Sequence, residues 1–121
     1  MDKIKVLVGS VVSLSGGQVQ DLTSPVEFEG EELGCRTEYG YHKEQLTDTR
    51  GTTERLYRVA GGGLVVHVEE WSRWSGEPTE YHLEAIEEEQ LGYGGRFERL
   101  GRESGFGHPL TLDQAIEDLP F

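Results

Sequence analysis

The stretch ERLYRVAGGGLVVHVEEWSRWSGEPTEYHLEAIEEEQL, from Glu54 to Leu91, carries the strongest structural signal in the chain. Two segments, Glu54 to Ala60 and Leu64 to Trp74, flank Gly61-Gly62-Gly63. A Gly76-Glu77-Pro78-Thr79 corner then precedes Glu80 to Leu91. Apolar runs separated by glycine and proline turns predict a three-stranded antiparallel meander.

Residues along a strand alternate between its two faces, so the meander sorts its own side chains. A three-residue glycine turn pairs Ala60 with Leu64, Arg58 with Val66, Tyr57 with His67 and Arg55 with Glu69. A second turn centred on Glu77-Pro78 pairs Trp74 with Tyr81, Ser72 with Leu83, Trp71 with Glu84 and Arg73 with His82. One face then carries Leu56, Ala60, Leu64, Val66, Val68, Trp74, Tyr81, Leu83 and Ala85, and forms the core. The other carries Arg55, Tyr57, His67, Glu69, Trp71, Arg73, His82 and Glu84. A slip of a single residue in one strand exchanges its faces, and a buried Trp71 with an exposed Trp74 is the sign of such a slip.

Outward from the meander, Ile4, Val6 and Val8 predict an N-terminal strand that bends at Gly9. Gly16-Gly17 marks a turn, and residues 18–22 a short return strand. Residues 26–29 read as an edge strand behind Pro25. Cys35, Thr37, Tyr39 and Tyr41 fall at spacing two, which favours a strand; residues 42–53 read as a loop with one helical turn at 43–46. Residues 87–91 predict a helical turn ending at Gly92, and Arg96 to Glu103 a short helix. Thr111 with Gln114 is a capping box that opens a C-terminal helix, stopped by Pro120. The fold class is therefore α+β: a twisted antiparallel sheet of five to seven strands, with a C-terminal helix and a second short helix packed on it.

The chain has 121 residues, with 17 glycines and 35% hydrophobic residues. That length suits one domain with a modest core. Its 23 acids against 11 bases give a net charge of −12. Such a charge repels nucleic-acid phosphates and anionic membranes, so neither is expected as a direct partner. No apolar run is long enough to span a membrane. The single cysteine, Cys35, excludes an internal disulfide and favours a reducing, cytoplasmic setting. Eight arginines, three lysines and no asparagine fit either a GC-rich genome or the avoidance of thermolabile amides.

No catalytic, nucleotide or cofactor motif is complete. Gly92-Tyr93-Gly94-Gly95-Arg96 lacks the rest of a phosphate loop, and the Gly-x-Ser-x-Gly elbow is missing. The expected function is therefore that of a non-enzymatic interaction domain, with no cofactor and no assigned metal. It would bind a protein partner with a basic surface through the Arg55/Tyr57/His67/Glu69/Trp71/Arg73/His82/Glu84 face, where large aromatics stand among charges. The same face also reads as an ordinary solvated sheet face, or as a contact between copies of the chain. Two further surfaces stand out. Glu84, Glu87, Glu88 and Glu89 form an acidic patch, suited to a nucleic-acid-mimicking inhibitor of viral or mobile-element type. Arg96, Arg99 and Arg102 line a basic helix face. A different class of reading makes the chain a small metal-dependent hydrolase using His67, His82 and nearby glutamates.

Overall fold

Gly61 and Gly62 adopt φ values of 101° and 98°, a conformation that glycine takes without steric cost. They reverse the chain between the strands Gln45–Val59 and Leu64–Ser72, and Val59 N–H donates to the Gly63 carbonyl at 2.9 Å. The turn is thus Ala60-Gly61-Gly62, and pairing begins with Arg58 opposite Leu64 and Leu56 opposite Val66. This register lies two residues from the expected one. An even slip changes partners but keeps faces, so Arg55 meets His67 while the two-face sorting of these strands survives.

The computed structural model describes residues 1–14, 16–42 and 45–106. Its strands are β1 (Asp2–Ser13), β2 (Val19–Asp21), β3 (Ser24–His42), β4 (Gln45–Val59), β5 (Leu64–Ser72) and β6 (Pro78–Ile86). A 3-10 turn (Glu88–Leu91) and one short helix, α1 (Glu98–Glu103), follow. The architecture is a six-stranded antiparallel sheet, mostly strand, rather than a balanced α+β fold. The helix expected from Thr111 lies outside the described residues. No helix among those residues is long and apolar enough to cross a membrane.

The strand segments expected at 26–29 and around Cys35–Tyr41 merge into one, and residues 45–53 of an expected loop are strand instead. Residues 24–42 form one long strand with Pro25 near its start, where a missing amide hydrogen is tolerated. Residues 45–53 belong to β4, because threonine is a good strand residue as well as a turn former. The predicted bend at Gly9 is present, with φ 120°. A Cβ there would lie 2.4 Å from the Leu22 carbonyl oxygen, so the position admits only glycine.

The bend at Gly9 lets β1 serve both ends of the sheet. Residues 2–8 pair with β3, and residues 9–12 pair with β6. The order β1-β3-β4-β5-β6-β1 closes into an up-and-down ring, with β2 added outside β1. Closure creates an inner face. Val6, Tyr57 and His67 are buried on it, Phe28 meets Tyr57 edge-on at 5.4 Å, and Tyr81 stacks on His67 at 5.9 Å.

The larger core lies on the other face of the same strands. Leu56, Leu64, Val66, Val68 and Ile86 pack beneath Leu91, Phe97 and Leu100 from the 3-10 turn and α1. Burying each of these large side chains contributes roughly 1.5–3 kcal/mol. Six residues are too few for a helix to persist alone, so α1 is held by this packing. Gly101 makes the close approach possible: a Cβ there would lie 2.1 Å from the Leu91 carbonyl oxygen. Both faces of β4 and β5 are thus covered, one by closure of the ring and one by the helical cap.

The second turn departs furthest from expectation. β5 ends at Ser72, and β6 pairs as Leu64 with Ile86, Val68 with His82 and Glu70 with Glu80. The difference from the predicted register is an odd five residues, so β6 presents opposite faces. Tyr81 and Leu83 point inward, and His82 and Glu84 share the outer face with Val66 and Val68. Side-chain hydrogen bonds cause this wider connection. Ser72 Oγ donates to Glu77 at 2.7 Å, Trp74 N–H donates to Ser72 Oγ at 3.1 Å, and Ser72 N–H donates to Thr79 Oγ1 at 3.1 Å. Trp74, expected in the core, is 40% exposed.

Burial raises the Tyr57 phenol above its ordinary value of 10.0, with the Glu32 charge adding to the shift. The folded state therefore favours the neutral phenol. Stability from this site is complete below the unfolded value and is lost as pH rises through the higher folded value. Alkaline unfolding should accordingly begin above pH 10 and be partly relieved in Tyr57→Phe, measured by phenolate absorbance and circular dichroism on one titration. Unchanged alkaline behaviour in Tyr57→Phe would contradict this.

Candidate functional site

The far ends of β3, β4 and β5 gather the exposed aromatic residues. Trp71 lies opposite Gly51 in the β4–β5 ladder. A Cβ at Gly51 would stand 2.7 Å from Trp71 Cζ2, so the missing side chain is the space that seats the indole. Trp71 Nε1–H donates to Thr53 Oγ1 at 3.1 Å, and Thr53 is itself buried, 3.0 Å from Thr37 Oγ1. Tyr39 meets the indole edge-on with centroids 5.9 Å apart, and the Arg73 guanidinium lies 5.5 Å from its centroid. Trp74 Nε1–H donates to Thr49 Oγ1 at 2.8 Å, which orients a second indole at the same end.

Beside Trp71 runs an open cleft of about 270 Å³. Arg50, Glu70 and Glu77 line it, and Arg50 Nη2 donates to Glu77 Oε2 at 2.6 Å. Arg50 Nε is buried there with no protein partner. Tyr39 is 47% exposed. The site offers large flat apolar surfaces with fixed orientations, bordered by carboxylates and one oriented guanidinium.

Of the eight residues expected on one polar face, Arg55, Tyr57, His67, Glu69 and Trp71 keep a common face, which is the inner one, and His82 and Glu84 lie on the other. Arg55 sits half-exposed between Glu32 at 3.6 Å and Glu69 at 4.0 Å. Tyr57 and His67 are 6% and 4% exposed, inside the ring, and present nothing to a partner. Trp71 and Arg73 are brought together at the aromatic end. His82 and Glu84 lie on the outer face because of the odd register shift. The physical reason is closure: a polar-looking face that curls inward becomes an interior.

His67 instead has a structural task. His67 Nε2–H donates to the Leu7 carbonyl at 2.7 Å from across the ring. That bond sets the Nε2–H tautomer and leaves Nδ1 buried without a protein partner. A shared metal between His67 and His82 is ruled out by their opposite faces.

The acidic and basic patches are also rearranged. Glu87, Glu88 and Glu89 are exposed around the start of the 3-10 turn, but Glu84 is held by Arg96 at 2.6 Å. Arg96 precedes α1 rather than belonging to it. Arg99 reaches Glu38 at 3.6 Å, and Arg102 pairs with Glu98 one helical turn earlier. The three arginines act as struts to separate carboxylates instead of forming one basic face. Arg36 completes this network, 2.9 Å from both Glu38 and Glu54, and its hydrogen bond holds the Glu38 carboxyl below the usual range.

Sequence reasoning found Trp71 and Arg73 but missed Tyr39 and Trp74 as their companions. The available signal was Gly51 inside a threonine-rich strand, a gap awaiting an aromatic ring across the ladder. No protein-family model, curated protein or solved structure matches this chain.

Proposed function

We propose that the chain is a small acidic protein-interaction domain that docks a basic protein through its aromatic end. The carrying observation is the cluster of Tyr39, Trp71, Arg73 and Trp74, ordered by ladder position and hydrogen bonds, with Tyr39, Arg73 and Trp74 exposed around a half-buried Trp71. Aromatic residues and arginine dominate the energetics of protein interfaces, because they bury large areas at low entropic cost. Ordering before contact also reduces the cost of association. The net charge of −12, with Glu70 and Glu77 beside the cleft, suits a partner of opposite sign.

The test is affinity capture with the wild-type chain and the double variant Tyr39→Ala/Trp74→Ala, confirmed folded by circular dichroism. A basic protein should bind the wild type directly and lose at least about tenfold in affinity on the double variant. Equal retention by both would overturn this reading. Binding abolished by salt but indifferent to the two aromatics would favour mimicry of nucleic acid by the exposed Glu87-Glu88-Glu89 run. Light scattering separates a second copy of the chain from a different protein as the occupant.

A further inference from the structure

The register of β5 and β6 creates a donor cluster that shares only Glu70 with the aromatic cleft. Glu70 and Glu80 are directly opposite one another, and Val68 opposite His82 is the neighbouring pair on the same face. One ligand atom from each of Glu70, Glu80 and His82 lies within 4.8 Å of the other two. His82 Nε2 stands 4.0 Å from Glu80 Oε2. The cluster borders an outer-face hollow of about 350 Å³, lined in part by Glu70, His82, Glu84 and Arg96.

Like charges directly opposite in an antiparallel pair are destabilising. Among the described residues, no lysine or arginine forms an ion pair with Glu70 or Glu80. Arg96, the cation lining the hollow, is engaged with Glu84 at 2.6 Å. A cation held between the two carboxylates would remove their repulsion, and the imidazole beside them specifies which kind.

We propose that Glu70, Glu80 and His82 bind a divalent transition-metal ion of the zinc type. One imidazole with two carboxylates suits zinc and its neighbours, whereas magnesium and calcium take oxygen ligands. Metal–ligand bonds of about 2.0–2.2 Å put tetrahedral ligands roughly 3.4 Å apart. The side chains therefore close by an ångström or so, a rotamer adjustment open to them at the surface. Three protein ligands leave a fourth position for water or for a donor from another molecule. The strands supply the rigidity: all three residues project from paired ladder positions rather than from a loop.

Zinc chloride titrated into chelator-treated protein is the test, read by calorimetry and by the imidazole signals in nuclear magnetic resonance. Saturable binding of one ion per chain is expected, with the His82 ring signals shifted and those of buried His67 unmoved. His82→Ala, and separately Glu70→Gln/Glu80→Gln, should weaken binding by at least about tenfold while circular dichroism is unchanged. Absence of saturable binding at millimolar zinc, wild-type affinity in His82→Ala, or equal affinity for magnesium would each overturn the proposal.

Discussion

Replacing His67 with alanine is expected to lower the stability by about 3 kcal/mol, from the lost hydrogen bond and from the cavity together. The buried imidazole of His67 donates Nε2–H to the Leu7 carbonyl at 2.7 Å. A buried acceptor left without a partner costs about 1–3 kcal/mol. The deleted ring also leaves a gap beneath Tyr81, which stacks on it at 5.9 Å. For a chain of this length the loss corresponds to roughly 10 °C in melting temperature. His67→Gln retains a donor at similar reach and should recover part of the loss. A change of only a degree or two in His67→Ala would show that the bond to Leu7 does not help close the ring.

Leu56→Ala is expected to cost as much, about 2–5 kcal/mol, by a different route. Leu56 is fully buried on the outer face, within the cluster that holds Leu91, Phe97 and Leu100. Its deletion should loosen the cap more than the ring. Trypsin should then cut at Arg99 and Arg102, within α1, before it cuts at Lys3 or Lys5 in β1. In wild-type protein the helix sites are held by packing and by the ion pairs to Glu38 and Glu98. Uniform acceleration of cleavage along the chain would contradict a separable cap, because it would mean that ring and cap unfold as one unit.

Much of the local structure was legible in the residues. The strand containing Ile4, Val6 and Val8, the bend at Gly9, the return at Val19–Asp21 and the helical turn ending at Gly92 all follow from nearest-neighbour chemistry. The candidate site was half legible. Trp71 and Arg73 stood out by type, but Tyr39 and Trp74 joined them only through pairings across three strands. A tight turn at Glu77-Pro78 places Trp74 in the expected core. The hydrogen bonds of Ser72, Glu77 and Thr79 make a wider turn, and no pattern of hydrophobicity reports such a network.

What the amino-acid sequence alone determined is where the chain extends and where it turns. Alternation at spacing two, glycines at positive φ and proline's missing donor act within a few residues, and they leave few options. What only the tertiary structure decided is which face of each strand is inside. An even slip at Gly61-Gly62 was harmless, whereas an odd slip after Ser72 exchanged the faces of β6. It moved Tyr81 and Leu83 inward and set His82 beside Glu70 and Glu80. Closure of β6 onto β1 then turned a polar face into an interior. Polarity marks the solvent side only while a sheet stays open. Once the ring closes and a helical cap covers its outer face, both sides of the central strands are buried and that rule no longer holds.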